Sequence, residues 1–251
     1  MILAWLAFFD GSLAVALALA GMVVAHYDFA APIVGFTVFA AGLAFGLVGV
    51  LIGLIATLLT ALSAKRRAGL ARSVVGLLLS AFVVVPPAVI VLGHPYPPIN
   101  DITTDTSNPP EFTHAQELAE NQGRDMTYPK AFAAIQESAP AYQKLGPEKL
   151  DEPPDEVFKK ANILAGEVQD WRITYVDPKT RSIEGVATSM LFHFKDDFVI
   201  QIRPAPGGGS LVEMRSKSRV GKGDLGTNYN RIMSFMQLMK GSPRGAAPNQ
   251  Q

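Results

Sequence analysis

Three long apolar segments near the start of the chain limit what it can fold into. They run from Ile2 to Ala25, from Ile33 to Ala64 and from about Leu70 to Leu92. Each exceeds the roughly 20 residues that a helix needs to cross a bilayer. The sequence therefore predicts a three-helix transmembrane anchor over residues 1–93. Because no Lys or Arg precedes the first segment and Asp10 interrupts it, we expect a retained helix there rather than a cleaved signal peptide.

The second apolar segment carries small residues at helical spacing. Gly42 and Gly46 are four residues apart, as are Gly49 and Gly53. Small residues at this spacing let two helices approach closely within a bilayer. We expect the partner to be a neighbouring helix of this chain, with self-association as the alternative.

Basic residues are unevenly distributed between the two loops that join the apolar segments. Lys65, Arg66, Arg67 and Arg72 lie between the second and third segments, whereas the first loop, His26–Asp28, has neither Lys nor Arg. Such residues concentrate in cytoplasmic loops. The N-terminus is therefore expected in the cytoplasm and the C-terminal part across the membrane. In bacterial terms this predicts a multi-pass protein of the inner (cytoplasmic) membrane with a periplasmic C-terminal domain.

The residues after position 93 have the composition of a nearly neutral globular domain. Of the 22 Lys and Arg residues 18 lie there, against 20 of the 22 acidic residues. This balance provides no basic footprint, so nucleic acid is not expected as a partner. The chain has no cysteine, which excludes disulfides, thiol catalysis and cysteine metal sites.

No motif in this part predicts a cofactor, a metal ion or a catalytic residue. Gly207–Gly209 lack the strand–loop–helix context and the Lys of a phosphate loop, and no G-x-S-x-G elbow is present. His193 with Asp196 and Asp197 is the nearest approach to a metal-binding cluster. We expect instead that the two aspartates form a turn.

A linker and ordered segment over residues 94–110 leaves the membrane. It begins with the stiff, proline-rich run Gly93–Pro98. Asp101, Thr103, Thr104 and Asp105 follow, and side chains of these types hydrogen-bond the local backbone. We expect the segment to be ordered in this way and to lie over the domain that follows.

Residues 111–240 change from helical to alternating periodicity and back, which predicts an α+β extracytoplasmic domain with two layers. One face of an antiparallel sheet would be covered by helices. Three helices are predicted: one starts at Tyr128-Pro129 and ends at Tyr142, one starts within Asp151–Glu156 and ends at about Asp170, and one runs from Thr227, as N-cap, to Lys240. Four strands are predicted over 171–176, 181–188, 198–203 and 211–219. Residues 191–194 form either a separate strand or part of a bulged one. Residues 241–251 are expected to be a disordered tail.

The stretch from Met214 to Asn228 holds the candidate site. It joins the last predicted strand to the last predicted helix, and backbone N–H groups at such a junction favour anions. Arginine there can bind a carboxylate or phosphate with two parallel hydrogen bonds. The alternative is a charged outer face on an edge strand. The candidate contact residues are Arg215, Ser216, Ser218, Arg219, Asp224 and Asn228, joined by Asp101, Thr103, Thr104 and Asp105.

Five stretches of this chain resemble the domain of unknown function 1499 (DUF1499) family. They are Pro98–Pro110, Tyr128-Pro129, Arg181–Thr188, Phe194–Arg203 and Arg215–Asn228, the last reading RSKSRVGKGDLGTN. The resemblance covers about residues 95–240 and implies a membrane-anchored bacterial protein. The family has no established activity, so the resemblance supports domain boundaries and not a mechanism.

Three hypotheses for function follow from these observations. The favoured one is a periplasm-facing binding or scaffolding module of the cell envelope, whose partners are the lipid bilayer and an envelope protein, lipid or anionic small molecule. The second is an enzyme of unrecognised class that uses Asp101, Asp105, Asp196 or Asp224 as acid or base. The third is a wholly architectural motif, in which Asp224 caps the last helix and an arginine fastens the segment around Thr103–Asn108.

Overall fold

The computed structural model describes residues 1–241, and these form two compact units. The first unit comprises Met1–His94 together with Met190–His193. The second comprises Pro95–Ser189 and the described residues from Phe194 onward. Of the predicted disordered tail, residues 242–251 lie outside the described part of the chain.

Three helices that are long and apolar enough to cross a membrane make up most of the first unit. Helix α1 spans Ile2–His26, α2 spans Pro32–Ala61 and α3 spans Leu70–Gly93. A short 3-10 helix, Ala64–Gly69, connects α2 to α3 and carries three of the four clustered cations. The membrane half of the predicted fold is therefore confirmed in its number of helices and closely in its bounds.

The glycines of α2 face the other two helices. A Cβ on Gly42 would lie 2.7 Å from the backbone nitrogen of Ala18 in α1, and one on Gly53 would lie 2.9 Å from the Cα of Leu77 in α3. Both distances are shorter than real side chains allow, so close packing here requires glycine. The prediction that these glycines pack against helices of the same chain is confirmed.

The second unit contains a six-stranded antiparallel sheet and three α-helices. Its elements in chain order are β1 Asp101–Thr103, α4 Lys130–Ser138, β2 Glu148–Leu150, α5 Pro154–Glu167, β3 Trp171–Asp177, β4 Ser182–Thr188, β5 Lys195–Pro204, β6 Ser210–Ser218 and α6 Thr227–Met239. The α+β fold class is as the sequence predicted.

Helix α4 is shorter than the pattern indicated. It ends at Ser138, and Ala139 is extended with φ −81° and ψ 123°. The next residue is Pro140, whose ring disfavours helical backbone at the residue before it. The prediction that this helix continues to Tyr142 was wrong, and Pro140–Tyr142 forms a separate 3-10 turn.

Strand β6 lies inside the sheet. The strand order is β1-β6-β5-β4-β3, and the edge of β6 that faces away from β5 pairs with both β1 and β2. An edge-strand position for this sequence is therefore excluded. Strand β5 is continuous from Lys195 to Pro204, and residues 191–194 belong to no strand.

The two faces of the sheet are covered differently. One face is apolar, with Phe198, Ile200, Val212 and Met214 in the core that also contains residues of α5 and α6. This confirms the predicted layer of helices on one face. On the other face Val199 packs with Phe112, Ala115 and Met126, which lie in a largely irregular stretch, residues 104–129, called the covering segment below.

Candidate functional site

Strand alternation turns the cations of β6 toward the covering segment. Arg215 pairs in register with Thr103 of β1 and with Val199 of β5, and directly paired residues share a face of the sheet. Lys217 is two residues further and shares this face. The sequence predicted this alternation. Of its alternatives, a charged outer face on an edge strand is excluded, because β6 is paired on both edges and this face is covered.

A buried ion pair joins Arg215 to Asp101. Both residues are at most 1% exposed. Nε of Arg215 donates to Oδ1 of Asp101 and Nη2 donates to Oδ2, each at 2.8 Å. Nζ of Lys217 also donates to Oδ2 of Asp101 at 2.8 Å. The two parallel hydrogen bonds expected for an external anion are thus made to a carboxylate of the same chain.

The Arg215 guanidinium also fastens the covering segment. Nη2 donates to the carbonyl oxygen of Met126 at 2.9 Å and Nη1 to that of Pro110 at 3.4 Å. Its central carbon lies 4.8 Å from the ring centroid of Phe112 and 5.3 Å from that of Tyr128. One side chain therefore holds β1, β6 and both ends of the covering segment together.

Thr103, at the end of β1, and the two residues after it are all hydrogen-bonded, but only Asp105 among the contacts below binds the local backbone as predicted. The N–H of Thr104 donates to the carbonyl oxygen of Met214 at 2.9 Å, and the N–H of Met214 donates to Oγ1 of Thr104 at 3.0 Å. The N–H of Thr103 donates to Oε1 of Gln136 at 3.1 Å. Oδ1 of Asp105 accepts two backbone N–H groups of the following turn.

Asp197 is the centre of a second buried cluster on the same face. Arg219 donates to it from Nη2 at 2.7 Å and from Nε at 3.1 Å. Arg124 of the covering segment donates from Nη1 at 2.9 Å, and its Nη2 donates to the carbonyl oxygen of Ser218 at 2.9 Å. The prediction of a turn at residues 196–197 was wrong, because both aspartates lie within β5 and each is paired with arginine.

The neighbouring Asp196 faces α6. Nη2 of Arg231 donates to Oδ2 of Asp196 at 2.6 Å, and Nη1 donates to Oγ of Ser216 at 2.8 Å. The Ser216 hydroxyl donates to Oδ1 of Asn228 at 2.7 Å, and Nδ2 of Asn228 donates to Oγ of Ser218 at 3.0 Å. The Ser216 hydroxyl is thereby held by an amide and a guanidinium, and the Ser218 hydroxyl by the same amide.

Asp224 caps helix α6. Its Oδ1 accepts the N–H of Gly226 and its Oδ2 accepts the N–H of Asn228, both at 2.9 Å. Burial raises the pKa of the Asp224 carboxyl, and the two N–H groups oppose that shift. Thr227 is the first helical residue, so the expectation that Thr227 is the N-cap was wrong. The left-handed backbone of Gly226, with φ 84°, brings the chain back over Asp224.

Two buried glutamates were not anticipated from the sequence. Glu184 of β4 accepts backbone N–H groups from Thr113 at 2.8 Å, His114 at 3.0 Å and Ala115 at 2.7 Å. It thus anchors the covering segment as the arginines do. The sequence did offer a signal for this contact, because Glu184 stands beside Gly185 in a strand of mostly apolar residues. An acid on a buried strand requires a polar partner.

Glu213 is the second of these glutamates and is less well paired. Its Oε2 lies 3.2 Å from Nη1 of Arg203 but accepts no hydrogen bond among the described residues. Burial raises the pKa of the Glu213 carboxyl, whereas the Arg203 charge lowers it and that of Asp105 raises it. Among the buried acids described on this face of the sheet, Glu213 is the one whose charge is least compensated by hydrogen bonds.

The exposed part of the motif is the loop over residues 219–226, which leads from β6 to α6. Val220 is 50% exposed and Leu225 is 46% exposed, and Lys222 between them is also exposed. Within residues 1–241 no group of three His, Asp or Glu residues is placed to hold a metal ion. The motif thus separates into an internal framework, Arg215–Ser218 with the side chains of Arg219 and Asp224, and the accessible remainder of the loop.

Comparison with known proteins identifies one family. The family model described as Protein of unknown function (DUF1499) matches residues 101–239, which is more than half of the chain. No curated protein and no solved structure matched the chain. The matched range begins at β1, with Asp101, and ends at the last residue of α6.

Proposed function

The chain belongs to the DUF1499 family, whose function is unknown, and on this premise we propose that it is a membrane-anchored extracytoplasmic binding module. The three apolar helices are the anchor, and the α+β domain presents a contact surface. In a bacterium with two membranes the domain is in the periplasm and the contact belongs to the cell envelope. No catalytic step is part of the proposal.

The orientation is supported by the distribution of charge around the helices. Lys65, Arg66, Arg67 and Arg72 follow α2, whereas the connection between α1 and α2 has no Lys or Arg. Loops rich in these residues stay in the cytoplasm. Helix α3 then carries the chain to the other side, where the C-terminal domain folds.

The contact surface is supported by one observation, the separation of the motif into buried and exposed parts. Arg215, Asp101 and Asp197 are buried and paired with one another or with neighbouring cations. They are therefore a framework, and an external partner meets the loop over residues 219–226 instead. Exposed apolar side chains on a loop held by a rigid scaffold are typical of binding surfaces.

Site-specific cross-linking tests this proposal. Because the chain has no cysteine, Val220→Cys creates a single attachment point for a benzophenone maleimide. The full-length labelled protein is irradiated in its native membranes and examined for adducts. We expect adducts from position 220, since its side chain is exposed and lies within the contact surface.

A matched control is available at the opposite end of the sheet. Lys179 is exposed in the turn between β3 and β4, far from the loop over residues 219–226. Lys179→Cys with the same label should form few adducts. Equal adduct yields at positions 179 and 220 would contradict a contact surface in this loop.

A further inference from the structure

The loop over residues 219–226 exposes apolar side chains beside a cation. Val220 and Leu225 are each about half exposed. Lys222 lies between them and forms no ion pair within the described residues. A short loop with two apolar side chains and a lysine matches the chemistry of a bilayer interface, where apolar groups enter the acyl boundary and lysine meets phosphate.

Leu225 occupies an unfavourable backbone conformation. Its φ of 52° places it in the left-handed region, which a bulky residue rarely adopts. Asn or Gly would suit this position better, and a leucine that is half exposed gains little from packing within the protein. An unfavourable backbone with an exposed apolar side chain indicates a contact outside the chain.

The loop is packed directly on the linker that leaves α3. A Cβ on Gly223 would lie 3.0 Å from the Cα of Pro98, and one on Gly226 would lie 2.3 Å from the ring of Tyr96. Nδ2 of Asn100 donates to the carbonyl oxygen of Gly221. Pro98 is five residues after the end of α3, a reach of at most about 17 Å.

We propose that this loop inserts Val220 and Leu225 into the headgroup and acyl boundary of the bilayer in which α3 ends. The inference rests on the proposed function and deepens it, because it names the partner of the contact surface as lipid. Lys222 then lies at the level of the phosphates. The α+β domain is thus held to the membrane at two places, by its linker and by this loop.

Depth-dependent quenching in protein-free vesicles tests the inference. Full-length Val220→Cys is labelled with the fluorophore NBD and reconstituted into vesicles of phosphatidylcholine and phosphatidylglycerol. Part of the phosphatidylcholine carries bromine on the acyl chain close to the headgroup. We expect NBD at position 220 to emit at shorter wavelength and to be quenched several-fold more strongly than NBD at Lys179→Cys.

A second variant separates membrane contact from folding. Leu225→Asn, made in the Val220→Cys background, removes one apolar side chain and relieves the left-handed backbone. It should weaken quenching at position 220 without lowering the unfolding temperature. A lower unfolding temperature with unchanged quenching would show that Leu225 packs within the protein and would overturn the inference.

The test also distinguishes this inference from the proposed function. If NBD at positions 220 and 179 is equally unquenched in vesicles, lipid insertion is refuted. If position 220 nevertheless cross-links to a protein in native membranes, the binding module stands and its partner is that protein. Because the vesicle measurement does not depend on the orientation in the cell, a wrong assignment of compartment cannot change the quenching result.

Discussion

Replacing Arg215 with Met tests whether the motif is an internal framework. The substitution removes both hydrogen bonds to Asp101 and the two to the carbonyl oxygens of Met126 and Pro110. Met retains most of the apolar volume of the arginine stem, so the lost interactions are mainly polar. Asp101 is left fully buried with Lys217 as its remaining cation.

The expected loss of stability is large. Removing one partner of a buried ion pair costs about 3–5 kcal/mol, and the Lys217 contact that remains places the expected loss toward the lower end of this range. At roughly 2–4 °C per kcal/mol for a domain near this size, the unfolding temperature should fall by about 10 °C. The double variant Arg215→Met with Asp101→Leu removes both charges of this pair and leaves only Lys217, whose side chain is partly exposed. We expect it to lose less stability than Arg215→Met alone.

Tryptophan fluorescence can follow this unfolding. Trp171 lies with its ring 4.2 Å from that of Phe198 and 5.4 Å from that of Phe235, so it reports on the core of the α+β domain. The other tryptophan, Trp5, lies in α1 and is replaced by Phe in all variants. Thermal and urea unfolding of the full-length protein in detergent then give the free energy of the domain.

A surface ion pair of the same chemistry provides the control. Nε of Arg181 donates to Oδ1 of Asp155 at 2.6 Å, but both side chains are substantially exposed. Exposed pairs contribute about 0–1 kcal/mol, so Arg181→Met should have little effect. If Arg215→Met is no more destabilising than Arg181→Met, the framework interpretation is refuted and an accessible, anion-binding Arg215 is favoured.

Three further predictions concern other parts of the chain. Glu213→Gln should stabilise the domain more at pH 7 than at pH 4. Burial raises the folded-state pKa of Glu213, so its carboxyl costs stability as the pH rises above the ordinary pKa of a glutamate. Urea unfolding at the two pH values measures the difference. Asp224→Ala should cost about 1 kcal/mol by loss of the α6 cap, whereas Asp224→Asn should cost less, both from urea unfolding. Gly76→Ala should lower the unfolding temperature of the helical unit, measured on the purified full-length protein, because its Cβ would lie 2.3 Å from the carbonyl oxygen of Ala7. Gly93→Ala has open space around its Cβ and should not lower it.

Each of these predictions has a contradicting result. A Glu213→Gln effect that is equal at both pH values would remove the desolvated carboxylate as its cause. Equal losses for Asp224→Ala and Asp224→Asn would show that the accepted N–H groups are not what Asp224 contributes. If Gly76→Ala and Gly93→Ala behave alike, the close approach of α1 and α3 is not required for stability.

Periodicity and composition were sufficient for the parts of the fold that depend on local sequence. The three apolar helices, α5, the β3–β4 hairpin and α6 follow from the length of apolar runs, from alternation and from Asp and Pro residues in the first turn of α5. The α+β class followed from their order. The end of α4 could also have been read from Pro140, which the helical pattern on either side obscured.

The sequence singled out Arg215 and Lys217 of the buried framework, but not the direction in which their side chains point. Alternation correctly placed Arg215 and Lys217 on one face, but the face is buried by residues 104–129, which have little regular structure and therefore no period. Strand β1 has only three residues, so the pairing of Asp101 with Arg215 is a contact between segments 114 residues apart that no local pattern encodes. The pairing of Asp197 with Arg124 and Arg219 was missed because it also joins segments that are separate in the sequence.

The central claim, an extracytoplasmic domain on a three-helix anchor, is tested most directly by the accessibility of single cysteines to a membrane-impermeant maleimide. Ala68→Cys lies in the basic connection between α2 and α3 and leaves its three cations and Arg72 of α3 unchanged, and Lys179→Cys lies on the α+β domain. In spheroplasts we expect Lys179→Cys to react at once and Ala68→Cys to react only after the membrane is permeabilised. Reaction of Ala68→Cys with protection of Lys179→Cys would place the domain in the cytoplasm and contradict the account.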